Sequence, residues 1–151
     1  FAQGGNQESS IRPGTENLLG AISFGLRAEE LKGQKSLFPQ IRELTQTLHE
    51  KLSQFQNISL HGDFSANVGN TINFCVKGKT VQELLMHFET AQIAVSAGSA
   101  CSSGDPKPSS ALLATKISEE EAMHSLRISL GEGSLAEDVD RIADVIRKLS
   151  N

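Results

Sequence analysis

Apolar side chains recur at steps of three and four along Leu37, Ile41, Leu44, Leu48, Leu52 and Phe55. That period predicts a helix that buries one face. Pro39 belongs in its first turn, where a missing N–H costs nothing, or at a kink. An earlier apolar run, Leu18, Leu19, Ile22 and Leu26, follows Thr15, which stands where a helix N-cap belongs. Gly33 weakens this first helix, so 15–56 reads as one long, broken helical stretch. The pattern then changes period. In NTINFCV (70–76) Ile72, Phe74 and Val76 alternate with Thr71, Asn73 and Cys75, as in a half-buried strand. ISLHG (58–62), IAV (93–95) and SLRISLG (125–131) are further predicted strands. Three Ser/Thr-x-x-Glu boxes, at Thr80, Ser118 and Ser134, predict helix starts. The last opens a helix with the stripe Leu135, Val139, Ile142, Ile146 and Leu149. This order of elements predicts an α+β fold with a small, largely antiparallel sheet packed with helices.

Composition narrows the function. Among 151 residues, 14 Lys and Arg oppose 18 Asp and Glu with no basic cluster, which argues against nucleic-acid binding. No apolar run approaches the length of a membrane span, and the opening lacks the pattern of a secretory leader. Two cysteines, Cys75 and Cys101, are too few for a disulfide framework and predict a reducing, cytoplasmic setting. The chain opens on Phe1 with a polar, Gly-rich segment, so 1–14 reads as a loop continuing from a missing half.

Cys101 is the most informative residue. It lies in SAGSACSSG (96–104), among small residues only, where a thiol is exposed and free to move. Such a thiol suits a nucleophile that collects a group at one place and delivers it at another; the alternative is an incidental thiol in a linker. Cys75 in its strand reads as a core or half-buried thiol. Arg127 alternates with Leu126, Ile128 and Leu130, which puts it on the polar face of its strand. A guanidinium fixed there can grip a carboxylate with two hydrogen bonds, or pair with a neighbouring acid. Thr15, behind the Pro13–Gly14 turn, can bind a phosphate at a helix start or simply cap the helix. His49, His61, His87 and His124 show no metal-ligand spacing, and no metal is expected.

Three segments in register resemble one family. GGNQESSIRPGTEN (4–17), SAGSACSSG (96–104) and SLRISLG (125–131) are similar to the GG-x-QE…R-x-GT-x-N segment, the cysteine loop and the S-x-R-x-S-L-G strand of cysteine desulfurases. These are the NifS/IscS group of the class V aminotransferases, pyridoxal 5'-phosphate enzymes of fold type I. The resemblance spans essentially the whole chain. Ser9–Ser10 and Glu132–Gly133 depart from the usual residues.

The resemblance implies that Cys101 takes sulfur from L-cysteine and carries it as a persulfide, leaving L-alanine. It implies that Arg127 binds the substrate carboxylate. Thr15 would reach the cofactor phosphate of the neighbouring subunit, making the enzyme a homodimer. An iron–sulfur scaffold or another acceptor protein would receive the sulfur. The family's cofactor lysine stands upstream of the GG motif, and no lysine here has that setting. The chain therefore reads as the C-terminal part of the enzyme, inactive alone. In it, 1–14 continues from the cofactor domain, 15–56 connects, and 57–151 forms the small domain with a mobile cysteine loop at 96–110. Alternatives are a class V lyase or selenocysteine-type relative, and a non-catalytic persulfide carrier or dimerisation module.

Overall fold

The computed structural model describes residues 3–33, 37–97 and 107–149. The chain divides into two compact units, Phe1–Ser36 and Leu37–Asn151. In the first, the opening segment is irregular, with a short 3-10 turn at Gln7–Ser10. Arg12 donates to the carbonyls of Pro13, Gly14 and Thr15, which fixes the turn at Gly14, whose φ is 97°. Helix α1 (Leu18–Gly33) follows.

Its cap corrects the sequence expectation. Asn17, not Thr15, caps α1: its Oδ1 accepts from the Gly20 N–H at 2.9 Å, and its carbonyl accepts the first helical bond from Ala21. Thr15 stands two residues earlier, outside any helix or strand. Leu18, Leu19, Phe24 and Leu26 of α1 all remain exposed. Leu18, Leu19 and Leu26 lie on one side of the helix and Phe24 on the opposite one, while Arg27–Glu30 and Lys32–Glu29 pairs line its surface.

The second unit is a sheet with its longer helices on one face. Helix α2 (Leu37–Ser53) carries Pro39 in its first turn, as the sequence predicts. Strands β1 (Ile58–His61) and β2 (Thr71–Val76) precede helix α3 (Val81–Thr90). A two-residue strand β3 (Ser96–Ala97), short helices α4 (Ser110–Ala114) and α5 (Glu119–Met123), strand β4 (Ser125–Ser129) and helix α6 (Ala136–Leu149) complete it. The strands lie in the order β1-β2-β4-β3, and every pairing is antiparallel. The α+β class and the small antiparallel sheet thus agree with the sequence pattern.

Alternation decides which face is dry. Ile72, Phe74 and Val76 of β2 with Leu126 and Ile128 of β4 point one way and meet Leu48 and Leu52 of α2 and Ile142 and Ile146 of α6. Phe74 and Leu126 sit opposite each other in the register and are fully buried. The other face carries the short polar side chains and Cys75. Among the described residues, no helix is long and apolar enough to cross a membrane.

Two local expectations fail for identifiable reasons. IAV (93–95) is not a strand. Gln92 adopts a left-handed conformation at φ 57°, its N–H bonds to Glu89 O, and Ile93 N–H reaches back to Phe88 O at 2.9 Å. That Schellman closure of α3 consumes the N–H a strand would need, so pairing starts at Ser96. Nor does Ser134 cap α6. Its hydroxyl accepts from Gly131 N–H, and Asp138 instead reaches back to the Leu135 N–H at 3.0 Å. Leu135 consequently stands outside the helix and its buried stripe, 61% exposed.

The Thr80 box forms as predicted. Glu83 accepts from the Thr80 N–H at 2.8 Å and hydroxyl at 2.9 Å, and these bonds hold its carboxyl below the usual glutamate range. Because the folded value is depressed, the stabilisation is present above about pH 4.5 and is lost as pH falls through the folded value. Glu83→Gln keeps the acceptor but removes the titration. The expected result is a shallower acid limb in urea midpoint against pH, with Asp63 and Glu121, similarly lowered, supplying what slope remains.

Candidate active site and the polar face of the sheet

Arg127 lies at the middle of β4, between the two neighbouring strands. The register sets Asn73 of β2 on one side of it and Ser96 of β3 on the other. Both neighbours are short and polar, so the guanidinium is exposed, as alternation with buried Leu126 and Ile128 requires. No carboxylate pairs with it among the described residues, and the surface ion pairs lie elsewhere. Thr71 and Ser129 close the same end of the face with a hydroxyl–hydroxyl contact at 3.1 Å.

The opposite end of this face is more enclosed. Ser125 is fully buried, and its hydroxyl donates to the Glu121 carbonyl at 2.6 Å. His61 Nδ1 lies 2.7 Å from Asn73 Oδ1 and 3.3 Å from Ser125 Oγ. Ser125 has committed its proton and Asn73 presents an oxygen, so both require a donor and Nδ1 carries the hydrogen. Nε2 then holds the lone pair; it is buried and has no hydrogen-bond partner. Cys75, 3% exposed, faces the same way. Burial pushes its thiol up, the Glu121 carboxylate adds to that, and a Ser59 hydrogen bond partly opposes it. Hydrogen bonds from Ser59 and Ser118 hold the Glu121 carboxyl below its usual range.

Of the three sequence candidates, Arg127 thus stands in the sheet and Thr15 on the N-terminal unit. Cys101 lies outside the described residues, as does 98–106 of the expected mobile loop. Thr15 offers an exposed hydroxyl, since Asn17 does the capping, and its carbonyl accepts from Arg12 at 3.2 Å. Sequence reasoning missed His61, Asn73, Ser125 and Glu121 as a group. They come from four elements, and only the strand register of 61 with 73 could have hinted at a pair.

This arrangement of strands and helices is shared with solved NifS-like structures. The X-ray structure of a NifS-like protein from Rickettsia africae superposes with a TM-score of 0.81 at 29% identity, covering 99% of this chain and 39% of that one. The family model for aminotransferase class-V matches residues 3–142, and the chain belongs to that family. It is 33% identical over 150 residues to cysteine desulfurase IscS of Dictyoglomus turgidum, covering 97% of this chain and 38% of that protein. It is 32% identical over 157 residues to the putative cysteine desulfurase IscS 1 of Bacillus subtilis, covering 97% and 41%. The chain therefore spans about two-fifths of the length of these curated relatives.

Proposed function

We propose that this chain is the C-terminal part of a cysteine desulfurase, with Cys101 as nucleophile, Arg127 as the substrate-carboxylate group and Thr15 as a contact to the phosphate of pyridoxal 5'-phosphate. One observation carries the reading. Ser96, five residues before Cys101 in sequence, is paired with Arg127. Covalent geometry keeps the Cys101 Cα within roughly 18 Å of Ser96, so a thiol on this segment can reach a substrate gripped by Arg127. In this reading Cys101 and Arg127 serve one site.

The residues fit the cofactor at the one position this chain would supply. The Thr15 hydroxyl is exposed and is not spent on the helix cap. A hydroxyl beside a phosphate donates one charge-assisted hydrogen bond, suited to a contact across a homodimer interface. The bound cofactor supplies the electron sink that accepts the C–S bonding pair.

The chain's own residues do the rest. Arg127 fixes the carboxylate of L-cysteine, which orients the substrate sulfur. The Cys101 thiolate attacks that sulfur; the S–S bond forms, the C–S bond breaks, and the carbon takes up protons to leave as alanine. Cys101 then holds a persulfide for an iron–sulfur scaffold or another acceptor thiol. In this reading 1–14 continues from a cofactor-binding domain, 15–56 connects, and 57–151 is the small domain. Thiol chemistry of this kind belongs in a reducing, cytoplasmic setting.

The test incubates the full-length enzyme with pyridoxal 5'-phosphate and L-cysteine, then weighs the Cys101 peptide by non-reducing mass spectrometry. One reductant-removable extra sulfur, with alanine released, is the expected result. Alanine with unmodified Cys101 would make the enzyme a lyase, and neither product would overturn the reading.

A further inference from the structure

We propose that His61, Cys75 and Glu121 form a binding site for a thiophilic divalent cation of the zinc type, separate from the Cys101–Arg127 chemistry. An imidazole nitrogen of His61, Sγ of Cys75 and a carboxylate oxygen of Glu121 all lie within 4.8 Å of one another. The three side chains come from β1, β2 and α5, so the packed sheet and its flanking helix hold them. One nitrogen, one sulfur and one oxygen donor suit zinc, which accepts mixed N, S and O sets in a tetrahedron. Calcium and magnesium, which want oxygen cages, are poorly served by this set.

A second observation is independent of that clustering. Asn73 and Ser125 fix the His61 ring with its hydrogen on Nδ1. Nε2 is left with a buried lone pair and no donor. A desolvated acceptor without a partner is costly, and a cation satisfies it. The Nδ1–H···O=C contact to Asn73 is also the support that a metal-bound imidazole commonly receives. Glu121 is similarly held by the Ser118 hydroxyl at 3.1 Å, so its carboxylate is oriented in advance.

An opening serves the site. A cavity of about 380 Å³ is lined by Cys75, Lys77, Ser118, Glu121 and His124, among others. Water from it can complete the fourth coordination position. On binding, the cation displaces the Cys75 thiol proton to solvent and forms the metal–sulfur bond, with no change of oxidation state.

The test titrates the full chain with Co²⁺ and Zn²⁺, free of chelator. Co²⁺ is expected to give a cobalt–thiolate charge-transfer band that stoichiometric Zn²⁺ abolishes, and Zn²⁺ is expected to raise the melting temperature. Cys75→Ser removes the band, whereas Cys101→Ser keeps it. Asn73→Ala keeps the band but weakens Zn²⁺ binding about 10- to 100-fold, the usual loss when a supporting hydrogen bond is removed. Should Cys75→Ser fail to fold, Glu121→Gln decides: a tenfold or greater loss of Zn²⁺ affinity supports the site, and unchanged affinity refutes it. A band that follows Cys101 instead of Cys75 overturns the proposal. So does the absence of both the band and thermal stabilisation in the parental chain. Desulfurase activity enters none of these readouts, so the two proposals stand or fall separately.

Discussion

Cys101→Ser in the full-length enzyme is expected to abolish persulfide formation and to lower L-cysteine desulfuration by at least about 10³-fold, the scale on which removing a covalent nucleophile acts. The reason lies as much in the other cysteine as in this one. Cys75 is the other thiol among these 151 residues, and it cannot substitute. It is 3% exposed, and burial raises its pKa, so near neutral pH it stays in the unreactive thiol form. It is also pinned in the middle of the sheet, opposite Ser59 and Ser125. A group that must meet both a substrate and an acceptor protein needs access and freedom that this position denies. Cys75→Ser should accordingly keep turnover near the parental rate, which rules out a role as relay. Alanine release can be followed alongside intact-mass measurement of the persulfide. A sulfur adduct on Cys75 in the Cys101→Ser enzyme would sink this division of labour.

The elements most legible in the sequence are those whose pattern and packing depend on one face only. The steps from Leu37 to Leu52 and the alternation of TINFCV each specify a single buried side, and α2 and β2 present those sides to the core. Helix α1 was readable as a helix, but its apolar residues lie on two sides of it and all stay exposed. Errors arose where a hydrogen bond was claimed by a competitor close in sequence. Asn17 took the cap from Thr15, the α3 closure took Ile93, and Asp138 took the reach-back expected of Glu137. Period alone cannot rank such rivals, since each donor has several acceptors within a few residues. The site divides in the same way. Alternation placed Arg127 on the polar face, and the structure adds its neighbours, Asn73 and Ser96. The grouping of His61, Cys75 and Glu121 was invisible because it requires strand pairing and the docking of α5, not spacing.

Arg127→Ala is the second large effect, and it separates binding from folding. A guanidinium that grips a carboxylate makes two charge-assisted hydrogen bonds, each contributing about 1.5–3 kcal/mol. Losing both corresponds to a fall in kcat/KM for L-cysteine of about 10²–10⁴-fold. Arg127→Lys keeps the charge but not the planar fork, so recovery is partial. The fold should be indifferent, because the side chain is exposed, has no acid partner among the described residues, and projects away from Phe74 and Leu126. Surface changes of this kind move stability by no more than about 0.5 kcal/mol. Cysteamine, which is cysteine without the carboxylate, supplies the decisive control. If Arg127 binds that group, the alanine variant loses its preference for L-cysteine over cysteamine, and the poor rate on cysteamine stays where it was. An equal loss on both compounds would mean that Arg127 acts on something other than the carboxylate. A large drop in melting temperature would instead make it a structural residue of the sheet. The preference ratio therefore reads the role directly, without any assumption about which step limits turnover.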